Sequence, residues 1–142
     1  MTKQWKYQIR IFLSEERAKV ARENPIDASL NPLAKVLSKH KACLKCQYDA
    51  FSEYCALVEK SGETNQPLYR WTKATLADPN KVKKFMQSFS CYIEGDEVYE
   101  RYKADALEID LAPLVNDGLI ASLKKHDSNP SNNPQPPSKF TM

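Results

Sequence analysis

The stretch QWKYQIRIFL, residues 4–13, leads directly into Ser14-Glu15-Glu16-Arg17 and decides the class of fold. Apolar side chains occupy its alternate positions: Trp5, Tyr7, Ile9, Ile11 and Leu13. Phe12 is the one departure from this alternation. A period of two residues predicts a half-buried β-strand. Ser14 is a favourable helix N-cap and the two glutamates suit the positive end of a helix, so we predict a strand that runs straight into a helix.

The alternation recurs at residues 42–48 and 88–93, where we predict two more strands. Between the strands, apolar side chains recur at spacings of three and four residues, which predicts helices. Proline and capping signals mark the ends of these helices: Asn24-Pro25, Asn31-Pro32, Asp49, Ser61-Gly62 and Asp78-Pro79. The pattern therefore indicates a helix-rich chain with a small number of strands.

Residues 96–111 have two interpretations. In the first, Asp96 caps a helix whose apolar side carries Val98, Tyr102, Ala106 and Ile109. In the second, residues 94–97 form a hairpin turn and residues 97–102 a fourth strand. We favour the helix, because its spacing persists to residue 111. Pro113 is expected to interrupt it, and residues 114–125 are predicted to add a last helix.

Together these elements predict an α+β fold. A sheet of three or four strands packs against helices in one domain, residues 1–126, and the order of elements loosely resembles a ferredoxin-like arrangement. The extra helices between residues 49 and 86 depart from that arrangement. Residues 127–142 are rich in Ser, Asn and Pro and are predicted to form a disordered tail, because they cannot bury enough apolar surface to offset the entropy of ordering.

Composition narrows the class of protein. A chain of 142 residues can bury a core without disulfides or metal. Three glycines argue against a glycine-rich phosphate loop, and a net charge of +3 is mild. The first residues lack the pattern of a signal peptide and no apolar run could span a membrane, so we expect a cytoplasmic protein with reduced cysteines.

Four residues could supply ligands for a tetrahedral zinc ion, which makes a zinc-binding protein one alternative: His40, Cys43, Cys46 and Cys55. A strand at residues 42–48 would place Cys43 and Cys46 on opposite faces, too far apart to share an ion or form a disulfide. We therefore expect Cys46, Cys55 and Cys91 to be small core residues, and we predict no metal or other cofactor.

The residues that catalysis would need are scarce. The histidines are His40 and His126, and no G-x-S-x-G motif occurs. Carboxylates cluster at residues 94–97 and 105–110, where such groups are usually solvated. A non-catalytic protein is therefore favoured over an enzyme, and no catalytic residue is predicted.

Two lysine-rich segments, residues 35–45 and 70–84, support nucleic-acid binding, because phosphates need cations and bases stack on aromatic rings. The candidate residues are Lys39, Lys41, Lys45, Arg70, Trp71, Lys73, Lys81, Lys83 and Lys84. No nucleic-acid-binding signature accompanies them, and lysines usually solvate helix surfaces. The leading hypothesis is therefore a small adaptor that acts by binding another protein, with a nucleic-acid-binding accessory protein as the alternative. The partner and the oligomeric state stay open.

Overall fold

The computed structural model describes residues 5–24 and 26–129 of the chain. This part contains four strands: β1 (Tyr7–Phe12), β2 (Ala42–Cys46), β3 (Ser88–Ile93) and β4 (Ser122–Asp127). It contains six α-helices: α1 (Glu15–Glu23), α2 (Asn31–Lys39), α3 (Gln47–Ser61), α4 (Pro67–Leu76), α5 (Pro79–Met86) and α6 (Arg101–Asn116). A short 3-10 turn, Ala28–Leu30, precedes α2. The α+β prediction is confirmed.

The strands form one sheet in the order β2-β3-β1-β4, and every neighbouring pair is antiparallel. Strands β1 and β2 therefore run in the same direction with β3 between them, and β3 and β4 run in the same direction with β1 between them. This split arrangement is that of ferredoxin-like folds. The present chain departs from it between β2 and β3, where helices α3, α4 and α5 are inserted.

One face of the sheet, which we call the inner face, carries the core. Side chains at alternate positions of the two central strands are almost fully buried there: Ile9, Ile11, Phe89, Cys91 and Ile93. They belong to one hydrophobic cluster with Leu33 of α2 and with four side chains of α6: Ala104, Leu107, Leu111 and Leu114. The alternation seen in the sequence thus separates the apolar face, which packs on α2 and α6, from the polar face.

A buried tyrosine joins the two central strands where they diverge. The hydroxyl group of Tyr99 accepts a hydrogen bond from the Ile9 N–H at 2.8 Å and donates one to the Cys91 carbonyl at 2.8 Å. Ile9 and Cys91 are paired in register, so the hydroxyl lies within the ladder of the two strands. The backbone of Tyr99 also pairs with Tyr7. Residues 96–100 are thereby held against β1 before α6 begins.

The inserted helices form a second, smaller cluster. Cys55, Val58 and Tyr69 are buried in it, and the rings of Phe51 and Phe85 meet edge to face at 4.9 Å. These helices connect to the sheet where β2 ends and β3 begins. There the Cys46 thiol donates to the carbonyl groups at the end of α5.

Several predicted boundaries are confirmed. Ser14 accepts a hydrogen bond from the Arg17 N–H at the start of α1, and Asp78 caps α5. Gly62 ends α3 with a left-handed backbone, φ 82°, a conformation that other residues adopt at a cost. Asp49 is not the cap of α3. That helix starts at Gln47, immediately after β2 ends, and Asp49 lies in its first turn.

The region after β3 departs furthest from the sequence predictions. The helix favoured there exists but starts at Arg101, and the side predicted to be its apolar core is exposed: Tyr102 and Ile109 are each 69% exposed. The helix is apolar on two sides, so its spacing alone could not identify the buried one. Pro113 does not interrupt it. This proline lies on the exposed side, where the backbone carbonyl that loses its partner is accessible to solvent.

The fourth strand is formed by Ser122–Asp127. The alternative of a strand at residues 97–102 is wrong, and so is the separate helix predicted at residues 114–125, of which residues 114–116 are helical as the end of α6. The segment pairs along its whole length with β1, from Tyr7–Asp127 to Phe12–Ser122. Of the predicted tail, Asp127 belongs to this strand, and residues 130–142 lie outside the described residues.

Candidate functional site

Strand β2 is an edge of the sheet with free backbone groups. Strand β2 pairs with β3 in antiparallel orientation, and just before β2 the Lys41 carbonyl accepts a hydrogen bond from the Glu94 N–H at 2.8 Å. By alternation, the N–H and C=O groups of Ala42 and Leu44 then point away from β3. Within residues 5–24 and 26–129, no other backbone hydrogen bond reaches them. The edge therefore presents donors and acceptors to a further strand.

A groove of about 510 Å³ runs beside this edge, and we call it the edge groove. It is bounded by residues of α1, of the turn and helix α2, of β2, of the first turn of α3 and of β3: Ala21, Arg22, Leu30, Leu33, Ala34, Leu37, Ser38, Ala42, Cys43, Leu44, Lys45, Cys46, Asp49 and Phe89. Leu33 and Phe89 are buried at its base, whereas Ala34 and Ser38 are exposed along α2. Most of the lining is apolar.

The charged groups beside the edge groove are paired. Arg22 donates to both oxygens of Asp49, at 2.9 and 3.3 Å, and this hydrogen bond raises the pKa of the guanidinium. The Lys45 ammonium lies 2.6 Å from the carboxylate of Glu53, which raises the pKa of the lysine. The groove therefore offers apolar surface and backbone hydrogen bonds more than net charge.

The opposite edge of the sheet, β4, is built differently. Its sequence SLKKHD has one large apolar side chain, Leu123. Lys125 binds Asp105 of α6 at 2.5 Å and Glu108 at 3.5 Å. Charged side chains on an edge strand discourage pairing with another chain. Of the two edges, β2 is thus the one suited to receive a strand.

The second face of the sheet, which we call the outer face, is polar, basic and aromatic. It carries every other residue of the four strands: Gln8, Arg10, Phe12, Cys43, Lys45, Ser88, Ser90, Tyr92, Ser122, Lys124 and His126. At its centre the Gln8 amide oxygen accepts from Arg10 at 2.7 Å, and its NH2 group donates to the Glu97 carbonyl at 2.9 Å. Ser88 donates to the Gln47 side chain.

The structure separates the nucleic-acid candidates of the sequence into paired and unpaired cations. Lys39 binds Asp110 at 2.9 Å, Lys73 binds Glu59 at 2.7 Å and Lys83 approaches Glu15 at 3.6 Å. Lys45 is paired as described above. Lys41 is exposed, and Lys81 and Lys84 are exposed on α5. Arg70 and Trp71 are half-buried on α4. Most of these lysines are therefore partly neutralised.

Sequence reasoning missed the basic residues of the outer face. Arg10 lies between two apolar residues of β1, where a strand with one solvated face carries any polar residue, and the pattern at residues 114–125 predicts a helix in place of β4. The signal was present in β1, where Phe12 breaks the apolar alternation because it belongs to the other face together with Gln8 and Arg10. Two basic residues of β4, Lys124 and His126, join them only through the pairing of distant segments.

The four proposed zinc ligands have other surroundings. His40 Nε2 lies 2.7 Å from Asp110, the Cys46 thiol donates to carbonyl groups, and Cys55 is buried between α3 and α4. Cys43 is exposed on the outer face, opposite in direction to Cys46. The described residues contain no group of three or more His, Cys, Asp or Glu side chains that could hold a metal ion.

The predicted burial of Cys46, Cys55 and Cys91 is confirmed. Burial raises the pKa of all three thiols, that of Cys91 to about 12. They are therefore held as thiols rather than as reactive thiolates.

Within the described residues, no helix is long and apolar enough to span a membrane. Comparison of the chain with protein-family models, with curated proteins and with solved structures finds no significant match. The functional conclusion therefore rests on the geometry of the chain's own residues.

Proposed function

We propose that this chain is a small, non-catalytic cytoplasmic adaptor that binds an extended segment of another protein at strand β2. The observation that carries the proposal is the coincidence of a free strand edge with an apolar groove of about 510 Å³. Peptides that add a strand to a sheet obtain affinity from backbone hydrogen bonds and specificity from pockets for alternate side chains. The four free cysteines fit a reducing compartment.

The geometry limits the chemistry of the partner segment. Strand β2 has five residues, which at about 3.3 Å per residue gives an edge of roughly 16 Å. A matching segment is extended and of similar length. Its side chains alternate in direction, and those directed toward α2 meet Ala34, Leu37 and Leu44, so they are expected to be apolar. The Arg22–Asp49 ion pair leaves little net charge to attract a charged side chain at the groove.

Hydrogen exchange tests the proposed binding mode. The probe is a peptide selected on the full-length protein from a random display library and then synthesised. In the free protein, the amides of Ala42 and Leu44 should exchange faster than those of Cys43 and Lys45, whose groups face β3. Saturating peptide should slow exchange at Ala42 and Leu44 and leave the other two amides unchanged.

A pair of matched substitutions tests the location. Ala34 is exposed on α2 and borders the edge groove, whereas Ala74 is exposed on α4 outside it. Glutamate suits a helix at either position. Ala34→Glu places a charge in the groove and is expected to weaken peptide binding at least tenfold, about 1.4 kcal/mol. Ala74→Glu should leave affinity unchanged. Equal affinities of the two variants, or protection by peptide elsewhere than β2, would refute the proposal.

A further inference from the structure

Two cations of the outer face, Arg10 and Lys124, form no close ion pair with a described carboxylate, although Glu97 lies near enough to Arg10 to raise its pKa against the larger lowering by burial. Arg10 and Lys124 are absent from the ion pairs found within the described part of the chain, although most other basic residues discussed above take part in one. Arg10 is half-buried, and its Nε donates to an amide oxygen, that of Gln8. Arg10 and Lys124 are paired in register on neighbouring strands. Arg10 and Lys124 therefore place two neighbouring positive charges on this face, without a described carboxylate in direct contact with either.

The titration of His126 supports this description of the outer face. Burial is the largest cause that lowers the pKa of His126, and the positive charges of Arg10 and Lys124 lower it further. Asp127 acts in the opposite sense but does not reverse the shift. Burial thus accounts for most of the lowered pKa of His126, and Arg10 and Lys124 add a smaller contribution of the sign expected from nearby positive charge.

Two aromatic side chains accompany these cations. Phe12 on β1 and Tyr92 on β3 are half-buried, and neither belongs to a hydrophobic cluster of the described residues. Phe12 is paired with Ser88, four residues before Tyr92, so the two rings are separated by about 13 Å along the strands at roughly 3.3 Å per residue. Arg10, paired with Ser90, lies midway between them.

We propose that the outer face binds single-stranded nucleic acid, with bases stacked on Phe12 and Tyr92 and phosphates contacted by Arg10 and Lys124. Aromatic side chains on a four-stranded sheet are a known platform for unpaired bases, and cations along the path of the backbone supply the electrostatic attraction. Positive charge alone would suit any polyanion. The rings on the two central strands favour one with exposed bases. The proposal is independent of peptide binding at β2, which uses the edge of the sheet.

The experiment measures binding of the full-length protein to fluorescein-labelled single strands of twelve uridines and of twelve thymidines by anisotropy, between 50 and 300 mM salt. Binding is expected to weaken steeply as salt rises. Comparison of the two strands shows whether ribose or deoxyribose is preferred. A blunt twelve-base-pair duplex should bind more weakly than either strand, because its bases cannot reach the rings.

Two adjacent lysines provide a matched control. Lys124 is exposed on the outer face, whereas Lys125 points to the other side and binds Asp105. Lys124→Gln and Lys125→Gln change the net charge equally. The first should reduce the slope of log K against log salt by about 0.7, the value for one phosphate contact of a single strand. The second should leave that slope unchanged.

Tyr92→Leu tests stacking. It is expected to weaken binding of the single strands at least about fivefold with little change in the salt slope, because a stacking surface is lost and no charge changes. Urea unfolding of the variant checks that the fold is retained. Ala34→Glu blocks the edge groove. Its affinity for the oligonucleotides should change no more than that of Ala74→Glu, so the two proposals can fail separately.

Three outcomes would overturn the proposal. One is no detectable binding of either strand at 50 mM salt. Another is equal loss of affinity in the Lys124 and Lys125 variants, which would indicate attraction to net charge. The third is that heparin or the duplex binds as tightly as the single strands and that Tyr92→Leu does not weaken this binding. That result would indicate a surface for polyanions in general or for an acidic partner protein.

Discussion

The inner and outer faces of the sheet are built from the same strands but from opposite kinds of side chain. On β1 the inner positions Ile9 and Ile11 are fully buried against helices, whereas the outer positions include Arg10 and Phe12. The inner face is held by apolar burial, at roughly 25 cal/mol for each Å² removed from water. The outer face is held by hydrogen bonds between polar side chains and retains half-buried charge.

The difference separates stability from binding within one sheet. A side chain of the inner face contacts many others, so its replacement changes the core. On the outer face Gln8, Ser88 and Ser90 are buried, whereas Arg10, Phe12 and Tyr92 are half-buried and Lys124 is exposed. The half-buried and exposed side chains are the part of that face available to a ligand. The experiments below test whether the two faces differ as this comparison requires.

The largest expected difference is in thiol reactivity. Cys43 is exposed on the outer face, and Cys91 is fully buried on the inner face, where burial raises its pKa to about 12. Alkylation of Cys91 requires opening of the core, which typically costs about 5 kcal/mol or more. We expect iodoacetamide at pH 8 to modify Cys43 at least about a thousandfold faster, measured on peptides by mass spectrometry. Rates within tenfold of each other would contradict the comparison.

A smaller effect is expected from Tyr99→Phe. This substitution keeps the buried ring and removes the hydroxyl that joins Ile9 to Cys91, so a backbone donor and acceptor lose their partner. The expected loss in the free energy of unfolding is about 1–3 kcal/mol, measured by urea titration. Tyr102→Phe, on the exposed side of α6, is the control and should change stability by less than about 0.5 kcal/mol. Equal losses would show that the hydroxyl of Tyr99 does not support the sheet.

The smallest effect concerns pH. The pKa of His126 is lowered in the folded chain, first by burial and then by Arg10 and Lys124. The unfolded chain therefore binds a proton at higher pH than the folded chain does. Stability from this residue is fully present above about pH 6.5, the pKa of an unperturbed histidine, and is lost as pH falls through the lower folded value.

The measurement is urea unfolding at pH 7.5 and at stepwise lower pH, for the protein and for His126→Gln. The decline in stability below pH 6.5 should be smaller in the variant. An NMR titration of the imidazole gives the folded pKa directly. A folded pKa above 6.5 would contradict the lowering expected from burial and from Arg10 and Lys124.

Local signals in the sequence determined much of this fold. Alternating side chains located β1, β2 and β3, and the caps Ser14 and Asp78 located two helix starts. These features are predictable because an N-cap is satisfied within a few residues and because a strand with one buried face must alternate. The same alternation correctly placed Cys43 and Cys46 on opposite sides of β2.

Tertiary structure alone decided β4, the buried side of α6 and the composition of the outer face. The segment SLKKHD has no apolar alternation and becomes a strand because the backbone groups of β1 require partners more than a hundred residues away. The helix α6 is apolar on two sides, and only packing against the sheet buries Leu107 and exposes Ile109. Pairing of distant strands depends on the whole chain, so short-range patterns do not encode which polar residues share a surface.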